Sequence, residues 1–149
     1  MRFWSLFVFF LLVVAGCSKP SSPTIPPGEE GNLRQVAAED PEMQKAIATA
    51  QRTFPEFKQR LAKATSDEFC SVKVRLKGKD DTYEHIWLED VKVENGRIKG
   101  VLGNEPVYLS QKLGDPVDVP ESQLSDWAVF DKTGKVIAGG YSVSLLKGE

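Results

Sequence analysis

The chain has 149 residues, a formal net charge of −2, 41% hydrophobic residues and two cysteines. This length predicts one domain with attached segments. Its lysines and arginines are spread along the chain, whereas nucleic-acid binding needs a concentrated positive face. We therefore expect no nucleic-acid partner.

Residues 1–16 are predicted to be a signal peptide. Met1-Arg2 forms a short positive region, and residues 3–14 form an apolar run of 12 residues. A run of this length does not comfortably cross about 30 Å of hydrocarbon, and it is typical of an export signal. The alternative interpretations are a transmembrane anchor and a signal that is not lipidated.

The end of this segment, Val14-Ala15-Gly16-Cys17, resembles the processing box of bacterial lipoproteins. The resemblance implies diacylglyceryl transfer to the Cys17 thiol, cleavage between Gly16 and Cys17, and acylation of the new amino group. Acyl chains contribute about 0.8 kcal/mol per buried methylene, so several of them anchor a protein firmly. Ser18 after the lipid site resembles the outer-membrane sorting pattern of Gram-negative bacteria. We therefore expect a lipid anchor in the outer membrane, with the protein facing the periplasm.

Residues 17–39 are predicted to be the lipidated, flexible linker. Residues 18–30 are rich in proline and small polar residues, which cannot build a core. If lipid consumes Cys17, the second cysteine, Cys70, has no partner for an intramolecular disulfide. The folded domain is predicted to cover residues 40–149.

A helical segment begins the domain. Asp40 is a suitable N-cap, and Pro41 fits the first turn. Pro55 interrupts the segment, and Thr53 with Glu56 has the spacing of a capping box, so one kinked helix and two short helices both remain possible. Apolar residues recur at steps of three and four and predict one core-facing stripe: Met43, Ile47, Ala50, Phe54, Phe57 and Leu61.

From Phe69 onward the apolar period changes to two, which predicts strands. Asn95-Gly96 is a hairpin signal, residues 122–127 are predicted to be a crossover, and Gly139-Gly140 is expected to bend the last strand. The fold class is therefore α+β: an N-terminal helical segment packed on a curved, antiparallel sheet of five to seven short strands, with barrel-like closure as an option. The predicted strands cover residues 69–76, 83–93, 98–102, 107–109, 116–119, 128–130 and 136–146.

Six motifs occur in order along the domain: Ala46-x3-Ala50-x-Arg52, Glu84-His85-x-Trp87, Gly100-x-Leu102-x-Asn104-x-Pro106, Gly114-Asp115-x-Val117, Asp126-Trp127 and Gly139-Gly140-Tyr141. Together they resemble the YegJ-like bacterial family, a domain of unknown function. The resemblance covers about residues 40–147. It implies a small α+β domain, often attached to an export or lipid signal, and it implies no catalytic role for any residue.

His85 is the only histidine in the chain. It could share a metal or form a nucleophilic pair with Cys70, but no ligand spacing such as Cys-x-x-Cys accompanies it, and Cys70 is predicted to point into the core. We therefore expect no metal, no cofactor and no catalytic residue. The remaining catalytic option pairs His85 with a carboxylate such as Glu84 or Asp126.

The strand that begins at Tyr83 has bulky side chains on both faces. Ile86 and Leu88 share one face, while Tyr83, His85 and Trp87 share the other. If the sheet leaves that second face uncovered, it forms a candidate binding face, because tyrosine and tryptophan combine apolar area with a hydrogen-bond donor. The alternative is that the tryptophans are core anchors and His85 is a satisfied edge residue. The complete candidate set is Tyr83, His85, Trp87, Asp126, Trp127 and Tyr141.

The sequence thus predicts a non-enzymatic envelope lipoprotein whose domain binds a periplasmic protein or a cell-wall component such as peptidoglycan. Two alternatives stay open. One is a small periplasmic hydrolase that uses His85 with a carboxylate, and the other is an immunity or inhibitor lipoprotein.

Overall fold

The computed structural model of the chain describes residues 40–146. The predicted leader, Cys17 and the linker lie outside the described residues. Within residues 40–146, no helix combines the length and apolar character needed to cross a membrane. The elements in chain order are α1 (Pro41–Leu61), β1 (Glu68–Lys77), β2 (Tyr83–Glu94), β3 (Arg97–Leu102), β4 (Pro116–Pro120), β5 (Leu124–Asp131), β6 (Val136–Gly139) and α2 (Val143–Leu146).

α1 is one continuous helix. The Asp40 carboxylate caps it by accepting the backbone N–H groups of Glu42 and Met43 at 2.9 and 3.3 Å. Pro55 lies inside the helix on an exposed position, where its missing N–H costs one backbone hydrogen bond. The predicted capping box does not form, because the Thr53 hydroxyl donates back to the Thr49 carbonyl at 2.8 Å.

The six strands form one antiparallel sheet in the order β4-β3-β2-β1-β5-β6. The α+β fold class is confirmed, and β1 and β2 are the two central strands. The option of barrel-like closure was wrong, because β4 and β6 are the two open edges of the sheet. The predicted hairpin turn joins β2 to β3, where Asn95 and Gly96 adopt φ values of 51° and 71°.

α1 packs on one face of the sheet, and the core lies between them. Trp127 of β5 occupies its centre and contacts Phe57 of α1, with ring centroids 5.6 Å apart. The Trp127 Nε1–H donates to the Ala50 carbonyl at 3.1 Å and to the Thr53 hydroxyl at 3.0 Å. Fully buried apolar side chains surround this contact: Val72, Val74, Ile86, Leu88 and Ile98.

Residues 107–109, predicted as a short strand, lie in the loop between β3 and β4. The Glu84 carboxylate accepts the backbone N–H groups of Val107 and Tyr108 at 3.0 and 2.9 Å. A side chain therefore supplies the hydrogen bonds that a partner strand would otherwise supply. Leu109 is buried and closes this end of the core.

Two predictions near the C-terminus were also wrong. The predicted crossover at residues 122–127 is largely strand, since β5 begins at Leu124 after a 3₁₀ turn at Glu121–Gln123. The last strand ends at Gly139, because Gly139 and Gly140 have φ values of 69° and 72°. A Cβ at Gly139 would also collide with the Trp127 carbonyl oxygen, so glycine is required where the chain leaves the sheet.

Candidate functional site: the open face of the sheet

The two faces of β2 have different surroundings. Ile86 and Leu88 point toward α1 and are fully buried. Tyr83, His85 and Trp87 alternate with them and therefore point away from α1. Tyr83 is 48% exposed, and the other two are half-buried. We call the side of the sheet opposite α1 the open face.

Strand pairing brings two cations of β1 beside these rings. Lys73 lies opposite Trp87, and Arg75 lies opposite His85. The Arg75 guanidinium carbon stands 3.7 Å from the centroid of the Tyr83 ring, and the Lys73 Nζ stands 5.0 Å from the centroid of the Trp87 ring. Both distances suit cation–π attraction. The open face therefore alternates cations with aromatic rings.

His85 hydrogen bonds to Ser125, with 2.8 Å between Nδ1 and Oγ. Ser125 reaches this position because β5 carries an irregularity: Lys73 pairs with Asp126, whereas Val74 pairs with Leu124. Burial lowers the pKa of His85, and the positive charges of Lys73 and Arg75 lower this pKa further. The imidazole is therefore neutral at neutral pH.

The two carboxylates considered for catalysis with His85 are engaged elsewhere. Glu84 holds the loop at Val107 and Tyr108. Asp126 accepts hydrogen bonds from the backbone of the next residue and from the backbone of the turn after β6. A general acid–base pair requires hydrogen-bond reach, and among residues 40–146 the hydrogen-bond partner of the His85 side chain is Ser125.

Asp126 is fully buried, because the turn after β6 folds over it. Its carboxylate accepts the backbone N–H groups of Tyr141 and Ser142 at 3.2 and 2.7 Å, and the Ser142 hydroxyl at 2.6 Å. It also accepts the backbone N–H of Trp127 at 2.8 Å. Asp126 therefore ties the turn to the sheet and is not available to a ligand.

Lys73 and Ser142 form a buried pair that resembles a nucleophile with its base. The Lys73 Nζ donates to the Ser142 Oγ at 3.2 Å. Burial lowers the pKa of Lys73, and the charge of Asp126 opposes this shift. Ser142, however, is only 1% exposed, and its hydroxyl donates a hydrogen bond to Asp126. An activated nucleophile must face its substrate, so in this arrangement the pair has a structural role.

Trp127 and Tyr141, predicted as part of the candidate binding face, lie on the other side of the sheet. Trp127 is fully buried beneath α1. Tyr141 packs against the core, with its ring centroid 5.8 Å from that of Trp127. With Asp126 also buried, the structure retains Tyr83, His85 and Trp87 from the predicted set as the accessible group.

Cys70 is half-buried against the core and is not in a disulfide. It pairs with Val129 on the side of α1, so the sheet separates it from His85. Burial raises the pKa of its thiol, and the charge of Glu68 raises this pKa further, which keeps the thiol protonated at neutral pH. Across residues 40–146, no cluster of three histidine, cysteine or acidic side chains comes together to hold a metal ion.

Sequence reasoning missed Arg75 as a member of the site. Arg75 alternates with Val74 along the strand, which predicts only that its side chain lies on the solvent side. The pairing register between β1 and β2 is needed to show that it stacks on Tyr83. Ser125 was missed as well, because the irregularity in β5 leaves no sequence signal.

The chain belongs to the family described as "Uncharacterized protein conserved in bacteria (DUF2314)", which matches residues 40–149. The uncharacterized protein YegJ of Escherichia coli K12 is 31% identical over 105 residues, or 70% of this chain and 66% of that protein. The resemblance to the YegJ-like family is thereby confirmed. No solved structure matches the chain.

A second relative comes from Neisseria meningitidis serogroup B and carries the provisional name of an ankyrin repeat protein. It is 31% identical over 125 residues, which cover 76% of this chain and 48% of that protein. The chain thus spans about half of one relative and just under two thirds of the other. Ankyrin repeats are stacked helix pairs, whereas residues 40–146 form one long helix on a sheet.

Proposed function

We propose that this protein is a lipid-anchored envelope lipoprotein whose domain binds a periplasmic partner through the open face. The observation that carries the proposal is the group of aromatic and cationic side chains on the open face, Tyr83, His85, Trp87 and Arg75. α1 leaves this group uncovered at the centre of the sheet, on β1 and β2.

The chemistry of these side chains supports recognition. Tyrosine, tryptophan and arginine dominate the energetics of protein interfaces, because each buries a large area at a low entropic cost. β1 and β2 are paired on both sides by neighbouring strands, so the backbone beneath the group is held in register. A partner would therefore meet a surface that is already organised.

The tether is supported by the sequence of the leader. The apolar run of residues 3–14 ends at the box Val14-Ala15-Gly16-Cys17, and proline-rich residues follow before Asp40. In this proposal the lipid on Cys17 holds the protein to the periplasmic side of the outer membrane. The linker of residues 17–39 gives the domain reach.

The tether is tested by membrane fractionation of cells that express the full chain or its Cys17→Ala variant. The intact chain is expected in the outer-membrane fraction and to incorporate labelled palmitate. The variant is expected to lose the label and to leave that fraction. Unchanged membrane partitioning of the variant would disprove the lipid anchor.

The binding face is tested with a photo-activated cross-linking amino acid at position 83 in the full chain in cells. A matched variant carries the same amino acid at the exposed position 48 on α1. We expect one dominant product from position 83, identified by mass spectrometry, and none from position 48. Equal products from both positions, or none from position 83, would refute binding through the open face.

A further inference from the structure

The charges around the open face indicate which kind of partner it fits. Arg75 stacks on Tyr83 and is exposed. Two other arginines, Arg60 and Arg97, pair with carboxylates at 3.1 and 2.6 Å. Among the residues that the structure describes, no carboxylate lies within ion-pair distance of Arg75. Its guanidinium is therefore held in place by a ring and still has its hydrogen-bonding edge available.

The surroundings of Arg75 strengthen this positive character. Lys73, on the same strand and face, lies beside Trp87. Among residues 40–146, the carboxylate whose charge acts on Lys73 is Asp126, which is buried and already accepts four hydrogen bonds. The charges that shift the pKa of His85 are those of Lys73 and Arg75, and both lower it. The charged groups that act on His85, at the centre of the open face, are therefore cations, although the whole chain has a net charge of −2.

We propose that the open face binds an acidic segment of a protein partner, one of whose carboxylates pairs with the guanidinium of Arg75 while Tyr83 and Trp87 contact the flanking side chains. This inference rests on the proposed function and specifies the partner's chemistry. Arginine recognises carboxylates through two parallel hydrogen bonds, and stacking on a ring reduces the freedom that it must lose on binding.

A protein segment fits this site better than a sugar chain does. The group lies on the surface of a sheet, and tyrosine, tryptophan and arginine are the residue types enriched in protein–protein hot spots. One depression among residues 40–146 lies away from this group, between the end of α1 and the start of β1, where charged side chains line it: Glu56, Arg60, Lys63 and Glu68. A glycan remains an outcome that the experiment can detect.

The first test uses the full chain in detergent micelles and a fluorescent octaglutamate peptide as the probe, with binding followed by anisotropy. Arg75→Glu is compared with Arg52→Glu, which makes the same charge change at an exposed position on α1. We expect Arg75→Glu to weaken binding about tenfold or more, because a charge-assisted pair is lost. Arg52→Glu should change it less than about twofold. Arg75→Lys keeps the charge but cannot form the two parallel hydrogen bonds of a guanidinium, so its loss of affinity should lie between those of the two glutamate variants.

Equal losses in the two glutamate variants would show that only net charge matters and would overturn the proposal. Absence of peptide binding together with binding of soluble peptidoglycan fragments would overturn it in favour of a glycan. Circular dichroism of each variant checks the fold, and Arg75→Ala provides a second variant without charge reversal, for which the same direction is expected.

The second test separates this proposal from the proposed function. In cells, the cross-linked product from position 83 should map to a partner peptide rich in aspartate and glutamate, and Arg75→Glu should abolish it. A product that persists in Arg75→Glu, or that maps to a peptide without acidic residues, would overturn the acidic partner while leaving the binding role intact. No product at all would overturn both.

Discussion

Both faces of the sheet carry a tryptophan, but the two tryptophans differ in burial and in contacts. The face under α1 holds Trp127, which is fully buried and fixed by two hydrogen bonds. The open face holds Trp87, which is half-buried, lies beside Lys73 and packs edge-to-face with Phe130. A tryptophan in this sequence is therefore a core anchor or an accessible surface group depending on its strand face and on where the helix packs.

The open face also differs from one end to the other. At Asp126 the turn of residues 140–142 covers it, and the buried carboxylate binds that turn. At Tyr83, on the far end, the ring is 48% exposed. The difference indicates that stability is concentrated under α1 and around Asp126, while the region of Tyr83 and Arg75 contributes little to it.

The largest expected effect is that of removing the anchor of the covered face. Trp127→Ala should lower the free energy of unfolding by about 3–5 kcal/mol, because it leaves a cavity beside Phe57 and removes the indole hydrogen bonds to Ala50 and Thr53. Urea denaturation followed by circular dichroism measures it. Trp87→Ala is the matched substitution on the open face and should cost less than about 2 kcal/mol. Equal losses would contradict the distinction between the two faces.

The second-largest expected effect concerns Asp126, at the end of the open face that the turn of residues 140–142 covers. Asp126→Ala should lower the free energy of unfolding by about 2–3 kcal/mol, because the buried N–H groups of Tyr141 and Ser142 lose their acceptor. Hydrogen exchange should show the loss of protection at these two amides first. Asp118→Ala removes an exposed carboxylate that pairs with Arg97 and should cost less than about 1 kcal/mol.

Hydrogen exchange that stays slow at both amides in Asp126→Ala would show that the turn holds without the carboxylate. The covered end would then owe its burial to the packing of Tyr141 on Trp127, and the two ends of the open face would differ less than we infer.

The fold was predictable from local patterns. Steps of three and four along residues 43–61 correspond to one helix, alternation corresponds to β1 and β2, and Asn95-Gly96 forms the hairpin. These patterns involve residues that are close together in the chain, so they can be recognised in a single sequence. The predicted strand at residues 107–109 was wrong because the distant Glu84 side chain satisfies that backbone.

The candidate site was predictable only in part. Alternation along β2 correctly separated Tyr83, His85 and Trp87 from Ile86 and Leu88. It could not place Trp127, because the face of β5 depends on its pairing with β1 and on the irregularity at Ser125. Lys73 alternates with Val72 and Val74, a pattern that predicts a solvated side chain. It is nevertheless only 9% exposed, because a turn about 70 residues further along the chain folds over it.

A smaller effect on the free energy of unfolding should appear as the pH falls, and it involves His85. The pKa of His85 is lowered in the folded chain. At pH values below the ordinary pKa of about 6.5, the imidazole is therefore protonated more fully in the unfolded chain than in the folded chain. The contribution of neutral His85 to the free energy of unfolding is fully present above pH of about 6.5, and it is lost as the pH falls through the pKa of His85 in the folded chain. His85→Gln should remove this part of the pH dependence from urea unfolding curves.

The chain has a single histidine, so its imidazole resonance in NMR reports this pKa directly. We expect a midpoint below 6.5, and Arg75→Ala should raise it because one neighbouring positive charge disappears. A midpoint above 6.5 would contradict the inference that burial and the two neighbouring cations disfavour the protonated imidazole. Asp131 also has a lowered pKa, through its hydrogen bonds to Thr133, but as a carboxylate it acts at lower pH.

The smallest expected effect is at the exposed end of the open face. Tyr83→Ala should lower the free energy of unfolding by less than about 1 kcal/mol, since an exposed cation–π contact with Arg75 contributes about 0.5–1 kcal/mol. The same urea titration measures it, with Phe57→Ala on the covered face as a reference expected to cost about 3–5 kcal/mol. A large aromatic side chain that contributes so little to folding is available for recognition. If Tyr83→Ala instead cost as much as Phe57→Ala, stability alone would account for the tyrosine, and the case for binding at this end of the sheet would weaken.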